Sequence, residues 1–277
     1  MENLLVLGGT GLLGRWVVRL ATERGFVVRA SGREELDLLR SDLEFGAFDA
    51  AINCAAYTAV DRAESEPEVA FRLNAGLPAQ LAWAAAGRPV LHVSTDYVFN
   101  GESTRPYQPS DPVDPLGVYG RTKRDGELCL EGVGTIVRTS WLFGPERPCF
   151  PRAVLQRALS GQAVRVVDDQ WGTPTHVADL ARVLLDLLAI SPGPGTFHAA
   201  GPEVVSWHQF ATQLFREHNL QRGTALPDPE PIPTSAWPTP APRPAFSALD
   251  SSDLWGMGIE AIPPLAEQIS RYIRALD

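Results

Sequence analysis

Leu4-Leu5-Val6-Leu7-Gly8-Gly9-Thr10-Gly11-Leu12-Leu13-Gly14, near the start of the chain, is the stretch that decides the fold. An apolar run stops at glycine, and Leu12 to Glu23 then continues with helical periodicity, so the segment reads as strand, tight turn and helix. It satisfies G-x-x-G-x-x-G from Gly8 and G-x-G-x-x-G from Gly9. Such a turn needs glycine for its sharpness, for close approach of a pyrophosphate to the backbone, and for packing of helix on strand. The unpaired N–H groups at the positive end of the helix suit an anion. Gly8, Thr10, Gly11, Leu12, Leu13 and Gly14 are therefore the first candidates for binding a dinucleotide cofactor.

Working outward, the same alternation repeats. Phe26-Val27-Val28, Ala50-Ala51-Ile52, Val90-Leu91-His92-Val93 and Thr135-Ile136-Val137 are short apolar runs of the kind that form buried parallel strands. Val177 to Leu188 is a strongly apolar helix, and Thr196-Phe197-His198 a further strand. The class is α/β, a doubly wound parallel sheet with helices on both faces. After Ser140 the rhythm breaks. Pro227 to Pro244 is too rich in proline for a regular helix or an inner strand. It contains Trp237 and runs into Phe246 and Leu249, so an ordered segment packed on the protein is expected. Leu265 to Leu276 predicts a last helix, with Ile269, Ile273 and Leu276 on one face.

Composition narrows the function. A formal net charge of −9 argues against a nucleic-acid-binding surface, which needs a basic face. No apolar run reaches the length of a membrane span, and the first residues lack the basic region of a signal peptide. Cys54, Cys129 and Cys149 are widely spaced and show no metal-ligand pattern, so a cytoplasmic protein with no metal and no disulfide framework is expected. Lys123 is the only lysine in the chain; every other basic side chain that carries a full charge is arginine.

The end of the second strand selects the cofactor. An NAD site usually places Asp or Glu about twenty residues past the glycines. Here the stretch is Arg29-Ala30-Ser31-Gly32-Arg33, with no acid before Glu34. Arg33, aided by Ser31, suits a 2′-phosphate through charge-assisted bonds, so NADP(H) is preferred and NAD(H) is the alternative. Tyr119-Gly120-Arg121-Thr122-Lys123 sets a tyrosine and a lysine on one helical face. An ammonium beside a phenol brings its pKa toward working pH and makes it a usable acid. Ser94-Thr95-Asp96 follows the fourth apolar run, at the strand end where parallel sheets bind ligands. A start-of-helix surface position is expected for Lys123, so that Lys123→Arg should leave the fold intact.

With the glycine loop, Thr95, Tyr119 and Lys123 in this order, the chain resembles the extended short-chain dehydrogenases, and within them the dTDP-4-dehydrorhamnose reductase family. The resemblance runs nearly end to end, through Asn53-Cys54-Ala55-Ala56-Tyr57-Thr58-Ala59-Val60-Asp61, Ser94-Thr95-Asp96-Tyr97-Val98-Phe99-Asn100-Gly101 and Arg138-Thr139-Ser140-Trp141-Leu142-Phe143-Gly144. It continues through Asp169-Gln170-Trp171-Gly172-Thr173-Pro174-Thr175 and Arg243-Pro244-Ala245-Phe246-Ser247-Ala248-Leu249-Asp250. It implies a Rossmann-type sheet formed by residues 1–143 and 177–200, with a smaller C-terminal substrate-binding lobe formed by residues 144–176 and 201–277. It implies reduction of the C4 keto group of a nucleotide-linked deoxysugar, most closely dTDP-4-dehydro-L-rhamnose. Thr95 and Tyr119 would bond the C4 oxygen, and Lys123 would hold the nicotinamide ribose. Asp37 and Leu38 would border the adenine, and Ala55, Ala56, Tyr57 and Thr58 the middle of the cofactor. Asp96, Tyr97 and Trp141 would shape the sugar pocket, with core packing as the other role for Trp141. Arg243 would bind the diphosphate or else anchor its loop.

Two departures stand out. The family's usual acid at the end of the second strand is missing, and no acidic cluster matches the C-terminal glutamates that hold a metal in some members. Competing readings are a sugar dehydratase, for which the second carboxylate after Thr95 is replaced by Tyr97, and an epimerase. A non-catalytic regulatory subunit of methionine adenosyltransferase is the alternative from another class. The expected assembly is a monomer or homodimer.

Overall fold

The computed structural model describes residues 2–31, 38–40 and 42–276. Its centre is a parallel sheet of six strands, made by β1 (Asn3–Leu7), β2 (Val27–Ser31), β3 (Ala50–Asn53), β4 (Val90–Thr95), β5 (Thr135–Thr139) and a final strand, Gly195–His198. Across the sheet the final strand is followed by β5, β4, β3, β1 and β2. The chain therefore winds outward from β1 to β2, then crosses back to build the other half from β3 onward. The crevice between the C-terminal ends of β1 and β3 is the switch point where such sheets bind ligands.

The apolar runs seen in the sequence form the strand interiors. Several strands continue one to three residues further and end on polar side chains: Ser31, Asn53, Thr95 and Thr139. These ends all lie on the ligand side, so one edge of the sheet carries the chemistry.

The helices are α1 (Leu12–Glu23), α2 (Val60–Ala63), α3 (Pro67–Phe71), α4 (Leu77–Ala85), α5 (Val118–Leu130), α6 (Phe150–Leu159), α7 (Val177–Ile190), α8 (Trp207–Arg222), α9 (Ser252–Gly256) and α10 (Leu265–Arg274). α1 buries Leu13, Val17 and Ala21, one per turn, against α7 and one face of the sheet. α4 and α5 cover the other face through Leu77, Leu81, Ala85 and Leu130. A separate core lies outside the sheet, where α6, α8 and α10 pack Leu155, Phe210, Leu214, Tyr272 and Ile273 around Phe143. Leu254, Ile259 and Ile262 return to the α1–α7 face, so the C-terminal segment contributes to both bodies.

The proline-rich segment is ordered, and its residues Glu230–Ile232 pair with Arg165–Val167 in a two-stranded ribbon. Phe246 and Leu249 pack with Val98, Phe99 and Tyr107, as their apolar character implies. Trp237 does not: it is 56% exposed, at the end of the tight turn Thr234–Ala236.

α5 sits unusually close to its neighbour. The turn Arg72–Gly76 is π-helical, and this widening brings the Asn74 carbonyl so near that a Cβ on Gly126 would lie 2.0 Å from it. Gly126→Ala should therefore lower stability by about 1–3 kcal/mol or more, through overpacking that neither backbone can relieve. Gly256→Ala, where a Cβ meets nothing within 4 Å, should stay within about 0.5 kcal/mol of the parent. Urea unfolding of the two variants checks the contrast.

Candidate active site

The glycine loop turns as the motif requires. Gly8 has φ 75°, and a Cβ there would lie 2.8 Å from the Ala55 nitrogen at the end of β3. Gly14 comes so close to the turn that a Cβ would lie 2.1 Å from the Gly8 carbonyl. Gly8 and Gly9 N–H groups donate to the Ser31 carbonyl at 2.9 and 3.1 Å, which ties the loop to β2. Gly11 caps α1 without a side-chain bond, and no acid occupies its first turn, so the N–H groups of Leu12, Leu13 and Gly14 face outward as a positive end. The Thr10 carbonyl accepts from Arg15 and Arg147. Ser31 Oγ is buried without a hydrogen-bond partner beside this loop. An orphaned hydroxyl, open helix N–H groups and a backbone turn with no room for a side chain fit the diphosphate and adenosine ribose of a dinucleotide.

Arg33 and Asp37 lie outside the described residues. Leu38 is buried among Leu5, Leu7 and Tyr57, so its side chain belongs to the core under the loop. Ala55 and Ala56 follow β3, and the Ala55 backbone lies directly against Gly8. Tyr57 is held by Asn74, whose Oδ1 accepts its N–H at 2.8 Å, and by Glu66, which accepts its hydroxyl. Thr58 is exposed.

The three expected catalytic residues meet at the ends of β4 and α5. Thr95 Oγ1 accepts from the Tyr97 N–H at 3.2 Å and caps the turn Asp96–Val98. The same oxygen donates to Asp96 Oδ1 at 3.1 Å, and burial pushes the nearby Tyr119 phenol up to about 12, with Thr95 pulling the other way and the Asp96 charge adding to the rise. Lys123 is 1% exposed, not on a helix surface, and it directs Nζ onto the Val93 carbonyl at 2.7 Å and His92 Nε2 at 3.1 Å. Burial pulls it down to about 8 against the opposing pull of Glu127. The expectation of a surface lysine is thus corrected. The cause is the depth at which α5 crosses β4, where the Val93 carbonyl accepts from the buried ammonium or amine. At 1% exposure the slot fits the lysine closely, and the larger guanidinium of Lys123→Arg would disturb the packing there rather than leave the fold intact.

Residues that sequence reasoning passed over hold this arrangement. Glu127, fully buried one turn beyond Lys123, accepts Arg138 Nε and Nη2 at 2.8 Å each, Ser94 Oγ at 2.6 Å and Arg124 Nη1 at 3.1 Å. Asn74 Nδ2 donates to Thr122 Oγ1 at 3.0 Å, joining the β3 turn to α5. Asn53 Nδ2 meets His92 Nδ1 at 3.0 Å. A polar residue inside an apolar strand run was the available signal for His92, and the i,i+4 relation to Lys123 was the signal for Glu127.

Among the expected substrate residues, Asp96 is buried, and its Oδ2 accepts Ser247 Oγ at 2.6 Å. Burial raises it to about 7, against the Ser247 and Thr95 bonds. Tyr97 stands edge-on to Tyr119, with ring centroids 5.5 Å apart. Burial raises its phenol above the usual range, helped by Asp96 and opposed by Arg243. Arg243 Nη2 pairs with Asp61 Oδ1 at 2.9 Å, so it clamps the end of the proline-rich segment onto α2, next to the tyrosines. Trp141 has φ 48°, a left-handed backbone rarely adopted by so bulky a residue. It stacks on Trp207 at 3.5 Å, over Gly172, where a Cβ would lie 2.4 Å from its ring. The tryptophan is therefore part of the wall between the sheet and the outer core. Among the described residues no group of three or more His, Cys, Asp or Glu is placed to hold a metal ion, and no helix is long and apolar enough to cross a membrane.

A parallel sheet with this loop at β1 and a Thr–Tyr–Lys group at β4 and α5 defines an extended short-chain dehydrogenase. The chain belongs to the family described as the RmlD substrate binding domain, whose model matches residues 1–277. It is 40% identical over 273 residues to the dTDP-4-dehydrorhamnose reductase of Streptomyces griseus, covering 93% of this chain and 88% of that protein. The crystal structure of a dTDP-4-dehydrorhamnose reductase from Clostridium acetobutylicum superposes with a TM-score of 0.92 at 33% identity, over 99% of each chain. That of the Bacillus anthracis dTDP-4-dehydrorhamnose reductase in complex with NADP gives 0.90 at 28% identity, again over 99% of each.

Glu127 supplies the test of how the site is held. Glu127→Ala leaves the buried Arg138 guanidinium unpaired, and should cost about 3–5 kcal/mol. Although burial opposes it, the Arg138 bonds hold the Glu127 carboxyl below the ordinary value of 4.5. A carboxylate lowered in the folded state contributes stability fully above its unfolded value, and loses it as pH falls through the folded one. Thermal melts of the parent should therefore steepen below about pH 4.5, and those of the variant should lack this component.

Proposed function

We propose that the chain reduces the C4 keto group of a dTDP-linked deoxysugar, dTDP-4-dehydro-L-rhamnose to dTDP-L-rhamnose, using NADPH in preference to NADH. One observation carries the reading: Thr95 ends β4 and Tyr119 stands in the first turn of α5 beside it, on the same sheet edge as the open end of α1. The likeness to reductases of this name, one of them in complex with NADP, supports both the reaction and the cofactor. When bound, the cofactor supplies the hydride that reduces the carbonyl carbon.

The chain's own residues do the rest. Gly8, Thr10, Gly11, Leu12, Leu13 and Gly14 hold the diphosphate, and Ser31 and Arg33 hold the 2′-phosphorylated ribose. Asp37 and Leu38 border the adenine side, while Ala55, Ala56, Tyr57 and Thr58 flank the middle. Lys123 binds the nicotinamide ribose. Tyr119 is the acid that gives its proton to the C4 oxygen, and Thr95 holds that oxygen in line. A phenol kept neutral by burial is a proton donor by default, which suits reduction. Asp96 and Tyr97 shape the sugar pocket beside the Trp141 wall, and Arg243 faces the diphosphate from the clamped segment. An elimination reaction lacks its second carboxylate, because Asp96 is followed by Tyr97 and already engaged by Ser247. In this reading residues 1–143 and 177–200 form the cofactor-binding part and residues 144–176 and 201–277 the sugar-nucleotide lobe. The work is that of a cytoplasmic enzyme.

Turnover is checked by following NADPH oxidation with dTDP-4-dehydro-L-rhamnose generated in place. Tyr119→Phe should lower turnover by about 10²–10⁴ while the protein stays folded, as loss of a general acid requires. Near-normal turnover in that variant would refute the assignment. For the cofactor, Arg33→Ala should weaken NADPH binding about tenfold or more, and leave NADH unchanged. Equal loss for both, measured by fluorescence titration, would remove Arg33 from the 2′-phosphate site.

A further inference from the structure

We propose that His92 is a positioning residue that holds Lys123 as a neutral amine, so that the lysine takes up its proton only when the cofactor binds. Donors and acceptors are matched along one buried chain of side chains. The Ala55 backbone N–H, which can only donate, reaches Asn53 Oδ1 at 3.0 Å. That fixes the amide orientation, so Nδ2, which can only donate, faces His92 Nδ1 at 3.0 Å. His92 Nδ1 must then accept. A buried imidazole held far from protonation carries its single hydrogen on the other nitrogen, Nε2. Nε2 lies 3.1 Å from Lys123 Nζ. An ammonium has no lone pair, so it cannot receive that hydrogen, whereas an amine can, and still donates to the Val93 carbonyl at 2.7 Å.

Every atom of the chain is satisfied with Lys123 neutral. With Lys123 charged, two donors must face each other, either at Lys123 and His92 or at His92 and Asn53. Burial already lowers Lys123 to about 8, and the clash of donors pushes in the same direction. The groups that act on Nζ are His92 and Val93 of β4, Cys54 beyond β3 and Glu127 on its own helix. Cys54 is kept a neutral thiol, pushed up to about 12 by burial. The Glu127 charge is taken by Arg138, Arg124 and Ser94, so it favours the ammonium only weakly.

The test uses the free protein and the fact that Lys123 is the only lysine. Labelling with lysine carrying ¹³C at Cε gives one resonance, and its pH titration reads this amine alone. Labelling with ¹⁵N-histidine reads the tautomer, with the His92 signals assigned by their loss in His92→Gln. The expected result is an Nε2–H tautomer with a lysine midpoint below about 8. Asn53→Asp replaces the donor to Nδ1 by an acceptor. It should reverse the tautomer, turn Nε2 into an acceptor and raise the lysine midpoint by about one unit or more. An Nδ1–H tautomer in the parent, or a lysine that stays charged past about pH 9, overturns the proposal even if Asn53→Asp fails to fold.

The coupling to cofactor rests on the reading above that Lys123 binds the nicotinamide ribose. Calorimetry with NADPH in two buffers of different ionisation enthalpy should show uptake of more than about half a proton per site at about pH 8. Zero uptake with the expected tautomer in place overturns the coupling and the ribose-binding role together. Zero turnover with measured uptake would instead count against the proposed substrate.

Discussion

The Glu127 carboxylate, enclosed where α5 crosses β4 and β5, is the point from which the geometry of the site is set. It takes a two-pronged bond from Arg138 of β5, a hydroxyl from Ser94 of β4 and a further bond from Arg124. A buried pair of this kind is weak evidence for net stability, because desolvation cancels much of the attraction. Its value is in register. Sliding α5 by one residue, or rotating it, would strand a guanidinium and a carboxylate in the core. The backbone of α5 is pinned as well, by the close approach of Gly126 to Asn74 and of Gly120 to the Tyr97 carbonyl. Tyr119 and Lys123 thus project from a helix with one allowed position over the end of β4.

Held that way, the site is hostile to charge. Burial moves Tyr119 up to about 12, Asp96 up to about 7 and Lys123 down to about 8, each toward its neutral form. His92 is moved in the same sense by burial. The positive potential that an anionic cofactor needs is placed elsewhere, at the open end of α1. This division suits the role proposed for Tyr119: an acid kept protonated until a developing alkoxide takes its proton.

Much of this was legible in the sequence because it depends on local pattern. The glycine loop, the apolar strand cores and α1 follow from neighbouring residues, and α1 begins and ends where periodicity puts it. The polar strand ends were harder, since Asn53 and Thr139 look like the onset of loops and are strand residues only by virtue of their partners. His92 was hidden inside Val90-Leu91-His92-Val93, where alternation says buried but not bonded to what. Lys123 was chemically conspicuous and spatially misplaced, because helical spacing gives a face and not the depth of what that face meets. Arg243 meets Asp61 across 182 positions of sequence, and no local rule foresees that pair. The proline-rich segment is ordered as its apolar residues implied, but through Ile232, Phe246 and Leu249 and not through the exposed Trp237.

The central claim is that the sheet edge joining the α1 end to Thr95 and Tyr119 delivers hydride to one carbon, the C4 of a nucleotide-linked keto sugar. Isotope tracing tests it most directly. With NADPH deuterated at the transferable position of the nicotinamide and the dTDP-4-dehydro sugar as substrate, the account predicts one deuterium in the product, bonded to C4, and oxidised cofactor in equal amount. Deuterium at any other carbon, or product formed with the label retained on the cofactor, would contradict it.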